Sequence, residues 1–207
     1  MKKIFLAAVL MLFLCSCSYT EPSAIYTVSA IGLQKNGENM QITLKIKEME
    51  DSFKISGEAE SLDSAMDNIK TKLSKQPYFR HCQLIAFGGL GGEPAEEVIS
   101  FCEKLGIPIK TKIVYVNDID RVFEEEREGD IISLLKHSYE EFGFGGNTAL
   151  FEIDTALLTN AGNFALPLIL IEGENIKLDG LLRYKGGKPY EKLNLEQSIK
   201  YAQEVTN

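Results

Sequence analysis

Met40, Ile42, Leu44 and Ile46 alternate with Gln41, Thr43, Lys45 and Lys47, directly behind an Asn36-Gly37 pair. That arrangement constrains the fold more than any other stretch. Period-two alternation is the signature of a strand, because successive side chains point to opposite faces. Asn-Gly is a strong hairpin signal, because both residue types accept the positive φ that tight hairpin turns demand. Residues 24–33, apolar and β-prone with Ile25, Val28 and Ile31, supply the partner strand. The expectation is an antiparallel hairpin whose second strand has one buried face and one wet face. Phe53 and Ile55, alternating with Ser52, Lys54 and Ser56, add a third strand ending at Gly57.

Helical spacing follows. Ser61 reads as an N-cap, and Leu62, Ala65, Met66, Ile69 and Leu73 predict an amphipathic helix over 62–75, stopped by Pro77. Cys82 to Phe87 is a short continuous apolar run, the pattern of a strand buried on both faces. Pro94 opens a helix to about Leu105, ended by Gly106 and Pro108. Lys110 to Val116 reads as a strand with Ile113 and Tyr115 on one face. Asp118 begins a short helical piece running into an acidic stretch, Glu124 to Asp130, which Gly129 breaks. Asp130 caps the next helix, Gly143 to Gly146 breaks the chain again, and Asn147 caps a helix to about Thr159. Phe164 to Ile171 and Ile176 to Tyr184 read as strands, residues 185–188 as a turn, and Leu195 to Val205 as a final helix.

The order ββ(β)αβαβ, then helices, then ββα, predicts an α+β fold with mixed sheets and packed helices. The glycine breaks suggest two lobes: an N-terminal α/β domain over 24–128 and a second α+β domain over 129–207.

The N-terminus bears on location. Lys2 and Lys3 precede the unbroken apolar stretch Ile4 to Leu14. That run is too short to span a bilayer and reads as a signal-peptide core. Leu14, Cys15 and Ser16 then place a large apolar residue at −3 and small residues at −2 and −1 of Cys17, the frame of a bacterial lipobox. Cys15 does not fit that frame, because Leu14 is too large for its −1 position. Residues 1–16 are thus expected to be a cleaved lipoprotein signal, and Cys17 the lipidation site. Residues 18–23, polar and containing Pro22, form a short tether. A diacylglyceryl group buries two acyl chains at ~0.8 kcal/mol per CH₂, enough for stable attachment to the extracytoplasmic face of a membrane.

Charge narrows the partners. The chain has 22 basic and 30 acidic residues, net −8. Loss of Lys2 and Lys3 with the signal takes this to −10. Such a balance argues against nucleic acid and against electrostatic adsorption to anionic lipid, so that the lipid on Cys17, not charge, is expected to hold the chain at the membrane. Once Cys15 is removed and Cys17 acylated, Cys82 and Cys102 remain. Outside the cytoplasm they could pair, but two buried thiols, one in a strand and one in a helix, is the favoured reading. With His81 and His137 they make no metal-ligand spacing, so no metal or other cofactor is expected.

Catalytic patterns are weak. The Gly88 to Gly92 loop precedes a helix and could meet an anion, but lacks the Lys-Ser/Thr pair of a P-loop and reads as a plain loop. Glu58 and Glu60 share a strand face yet are expected in solvent. His81 beside Cys82 reads as a structural histidine, and the acidic run as a solvated helix face. No catalytic residue is expected, and the chain is not read as an enzyme.

Several segments, in order, resemble the Ger(x)C family, the lipoprotein C subunits of spore germinant receptors. After Cys17 come residues 26–33, similar to the family's early strand. Residues 57–66, Gly-Glu-Ala-Glu-Ser-Leu-Asp-Ser-Ala-Met, are similar to its Gly-led stretch into a helix. Arg80 to Gly88 resembles its G-H strand, and Leu166-Pro167 with Ile176 to Lys185 resembles its second-domain hairpin. Ala59 stands where the family often has Gly, and Arg80 where it has a small residue. The resemblance implies a short form without the family's large C-terminal domain. It also implies a non-enzymatic, lipid-anchored accessory subunit at the spore inner membrane, contacting integral-membrane germinant receptor subunits. The alternative is a lipid-anchored extracytoplasmic small-molecule binding protein of a transporter.

Overall fold

The computed structural model describes residues 24–48, 51–88, 95–124, 127–144 and 148–206. They form an α+β fold with one mixed sheet and six helices. The opening meander is β1 (Ile25–Asn36), β2 (Asn39–Glu48) and β3 (Asp51–Ala59). Gly37 takes the first of two loop positions at φ 64°, as a type II′ turn requires, and Asn36 faces Asn39 across the ladder. Helix α1 (Leu62–Lys70) follows, capped by the Ser61 side chain accepting from Ser64 N. It is shorter than the spacing predicts; Leu73 packs on the core from beyond its end.

Next come β4 (Gln76–Tyr78), β5 (Leu84–Gly88), α2 (Ala95–Lys104) and β6 (Lys112–Val116). The short α3 (Ile119–Val122) is capped by Asp118, and α4 (Arg127–Phe142) and α5 (Leu150–Thr159) complete the middle of the chain. Strands β7 (Phe164–Glu172), β8 (Asn175–Lys185) and β9 (Lys188–Leu193) and helix α6 (Leu195–Thr206) end it.

The strand order is β3-β2-β1-β5-β6-β7-β8-β9, with β4 beside the start of β1. The centre, β1-β5-β6-β7, is parallel, and both flanks are antiparallel. The segments on either side of residue 128 share this sheet, because β6 pairs directly with β7. One face, with Ile31, Leu33, Ile42, Leu44, Ile85 and Ile113, is covered by α1, α2 and α5. The other, with Ala30, Leu84, Ala86, Val114 and Val116, is covered by α3 and α4. Helix α6 closes a smaller cluster with Leu181, Leu193 and Phe144.

Val28 and Ile31 sit an odd number of residues apart yet share one core. A bulge between Val28 and Ala30 reconciles them by shifting the register of β1 by one residue at Ser29. Gly57 is where α1 meets the sheet: a Cβ there would collide with the carbonyl oxygen of Ala65, so only glycine permits the approach.

Four expectations are corrected. Gly129 does not break the chain and Asp130 does not cap: both lie inside α4, which begins at Arg127. Glycine costs a helix about 1 kcal/mol against alanine, which the packing of Ile131 and Leu135 offsets. Pro77 belongs to a short strand, β4, tolerated because only three residues pair there. A further strand, β9, occupies 188–193, where charged Lys188, Glu191 and Lys192 conceal the period from view. Finally, the expected wet face of β2 is covered at its centre, while Lys47 near its end stays exposed. Thr43 and Lys45 are 0% and 2% exposed, because the α3–α4 segment covers them.

Candidate functional site

The residues singled out from the sequence lie apart from one another. Cys17, Gly89 to Gly92 and Asn147 lie outside the described residues. Glu58 is exposed and accepts from Asn39 Nδ2 at 3.0 Å, and Glu60 is exposed beyond the end of β3. His137 pairs with Glu141 one turn on in α4, at 3.2 Å and in solvent. Among the described residues no His, Cys, Asp and Glu group could hold a metal ion.

Cys82 and Cys102 are free, buried thiols. Cys82 lies in a turn ahead of β5 rather than in the strand, and its Sγ is 3.5 Å from the Leu84 carbonyl. Burial pushes the Cys82 thiol up to about 12, and the Leu84 hydrogen bond offsets this only in part. Burial, with Cys82 nearby, raises Cys102 further. Neither is a nucleophile at neutral pH.

Within the acidic run Glu124 and Asp130 are exposed, as expected of a solvated face, but Glu128 is not. Glu128 is buried in the first turn of α4 and accepts from Lys45 Nζ at 2.7 Å, with both side chains under 5% exposed. Lys47 Nζ lies 3.5 Å from its other oxygen, and the bulged Ser29 Oγ also 3.5 Å away. A buried carboxylate needs such company, since desolvating one charge alone costs several kcal/mol. The helix N-terminus adds favourable field. Sequence reading misses this pair because nothing local distinguishes Glu128 from the exposed Glu124, or Lys45 from Lys47.

Helix α5 presents a different anomaly. Leu150 and Ile153 are buried and Leu157 packs beside them, so that stripe faces the core. The opposite stripe should be polar. Instead it carries Phe151, 44% exposed, and Leu158, 80% exposed. Between them, Thr155 donates its hydroxyl to the Phe151 carbonyl at 2.7 Å, spending its polar group on the helix itself. Beyond Leu158, Thr159 does the same to Thr155. The outer face of α5 therefore joins two exposed apolar side chains to threonines whose hydroxyls are bonded to the helix backbone, with nothing from the described chain covering it. The sequence signal is present in Leu150 to Leu158, where apolar residues occur on both faces, but periodicity alone reads such a helix as core.

A third feature is an open cavity of about 450 Å³ at the starts of β5 and β6. Arg80, His81, Gln83, Lys110, Lys112, Pro108 and others form its walls, with Ile132 of α4, and among the described residues no carboxylate lines it.

No family model and no curated protein matches this chain. Among solved structures, YeaZ from Pseudomonas aeruginosa is similar at 11% identity over 79% of this chain and 63% of that chain, with a TM-score of 0.27. That likeness is too slight to bear on fold or function.

Proposed function

We propose that this chain is a membrane-tethered accessory subunit of the spore germinant receptor type, working through protein contacts and without catalysis. The carrying observation is the outer face of α5, where Phe151 and Leu158 lie exposed on one apolar stripe. Isolated exposed apolar side chains are ordinary; a stripe of them on one element marks an interaction surface. The partner it suits is an apolar extracytoplasmic segment of an integral-membrane receptor subunit. The lipobox frame at Cys17 supplies the tether, and the ordered resemblance of residues 17–193 to Ger(x)C lipoproteins supplies the receptor context. The finer organisation into halves 24–128 and 129–207, on the extracytoplasmic side, belongs to the same proposal. α5 lies in the second half.

The test is affinity capture from spore membranes with tagged wild-type chain, Cys17→Ala and the double variant Phe151→Ser/Leu158→Ser. Co-purification of integral-membrane receptor subunits with wild type, reduced by either variant, supports the subunit. Recovery from vegetative membranes with transporter components, unchanged by the α5 variant, would replace it with the second reading, a transporter's lipid-anchored binding protein. The open 450 Å³ cavity is the observation that favours that second reading, being within the range of small-ligand sites.

A further inference from the structure

Two β-turns stand side by side at one end of the sheet. In the first, Cys82 N donates to the Phe79 carbonyl at 2.9 Å, leaving Arg80 and His81 at the corners. In the second, Thr111 N donates to the Pro108 carbonyl at 2.9 Å, leaving Ile109 and Lys110 at the corners. All four corner residues are exposed. The turns are fastened together: Thr111 Oγ1 donates to the Cys82 carbonyl at 2.9 Å, and Lys112 N to the Gln83 carbonyl at 3.0 Å. Arg80, His81, Lys110 and Lys112 thus converge on one cavity that no carboxylate among the described residues lines, in a chain of net charge −8. Among the described residues, neither Arg80 nor Lys110 has an ion-pair partner. Ile109, 63% exposed, precedes Lys110 at the other corner of the second turn.

The position of the cluster identifies what it meets. β1 runs parallel to β5, and β5 to β6, so all three strands begin toward the same end of the sheet, with Ile25 five residues beyond Ala30, the partner of Leu84. The turns lie toward that end, beside Ser29, whose carbonyl accepts from Gln83 N, and Ile25, the first residue of β1, lies beyond them beside Gln76. Cys17 to Ala24 is eight residues, which reach at most about 29 Å when extended. A lipid on Cys17 therefore holds this end of the sheet near the bilayer.

We propose that the paired turns dock on the membrane, with Arg80 and Lys110 around the phosphate of an anionic phospholipid headgroup and Ile109 among the acyl chains. The inference rests on the lipid-anchor reading of Cys17. The acyl chains hold the protein to the membrane; the dock sets its orientation. Phe151 N donates to the Ile109 carbonyl at 3.0 Å, so the apolar face of α5 then begins at the bilayer surface, where a membrane partner would meet it.

The test uses residues 17–207 with Cys17→Ala and Ile109→Cys, held on vesicles by an N-terminal histidine tag and a nickel-chelating lipid. Cys82 and Cys102 are buried, so an environment-sensitive fluorophore labels position 109 alone. The expected result is blue-shifted emission on phosphatidylcholine vesicles containing phosphatidylglycerol, and none on phosphatidylcholine alone. Arg80→Gln and Lys110→Gln, at exposed turn corners, should each weaken the docked state about fivefold, with circular dichroism unchanged. Equal emission on both vesicles, or indifference to the charge variants, would overturn the dock. If glycerol phosphate without vesicles protects both turns from hydrogen exchange, the site takes a free phosphate ester and the lipid is the wrong ligand. The intact mass of the full chain recovered from membranes should carry the diacylglyceryl group on Cys17. Its absence would overturn the anchor reading and the membrane-facing placement, whereas an unshifted emission overturns the dock alone.

Discussion

Two regions of this protein carry the wrong chemistry for where they lie. Under α4, Lys45 and Glu128 put a full ion pair inside the core. On α5, Phe151 and Leu158 put apolar side chains in water. The first anomaly is resolved within the chain: each charge has its counter-ion, Lys47 and Ser29 stand by, and no described buried side-chain polar atom lacks a hydrogen bond. The second is not resolved by anything described in the chain. A satisfied buried polar group fastens a fold together; an unsatisfied apolar stripe asks for a partner. The contrast separates residues that hold the structure from residues available for function.

The sharpest way to break that contrast is Glu128→Ala. It strands the Lys45 ammonium in the core and should cost about 3–5 kcal/mol, read as a lowered urea midpoint. Replacing both partners, Lys45→Met with Glu128→Leu, should recover most of the loss, because the expense lies in an unpaired charge rather than in a missing bond. If the single variant unfolds no more easily than wild type, the pair is not a fastening element. Gly57→Ala comes next. Its Cβ meets the α1 backbone, which cannot rotate aside as a side chain can, so overpacking of about 1–3 kcal/mol is expected.

Alkaline pH tests the buried thiols beside the same core. Burial holds the Cys82 thiol at about 12, whereas an unfolded chain ionises near its ordinary value of 9.0. Only the unfolded state then gives up the proton between these values. The stability contributed is complete below pH 9 and is lost as pH rises toward 12, roughly tenfold in the folding equilibrium per pH unit for each thiol. Urea titrations across that window, repeated with Cys82→Ala, should show the slope diminish. A flat profile would mean the thiols are accessible to water. The smallest effect belongs to α5. Phe151→Ser and Leu158→Ser should each change stability by no more than about 0.5 kcal/mol, while abolishing capture of a membrane partner. A large destabilisation would place this face in the fold and remove it from the functional argument.

Much of the architecture is legible in the residues. The β1–β2 hairpin follows from Asn36-Gly37 and alternation, α1 from Ser61 and helical spacing, and β5 from its uninterrupted apolar run. What failed did so for identifiable reasons. β4 has only three residues, too few to show a period, and β9 is disguised by charged side chains. Gly129 looks like a break because glycine is a poor helix former, yet tertiary packing outweighs a cost of about 1 kcal/mol. For the candidate surfaces, the apolar excess of Leu150 to Leu158 was visible but its exposure was not. Arg80-His81 and Lys110-Lys112 lie some thirty residues apart and gave no shared signal at all.

The sequence by itself determined the α+β class, most helices and strands, and the acidic balance. These are local properties, written in spacing, composition and short motifs. Tertiary structure alone decided that Thr43 and Lys45 are buried, that Glu128 rather than its acidic neighbours goes inside, and that Leu158 stays out. It also brought two basic turns onto one cavity. Each of those outcomes depends on which element covers which face, and that is fixed by the order of strands across the sheet, a long-range property that no short window of residues contains.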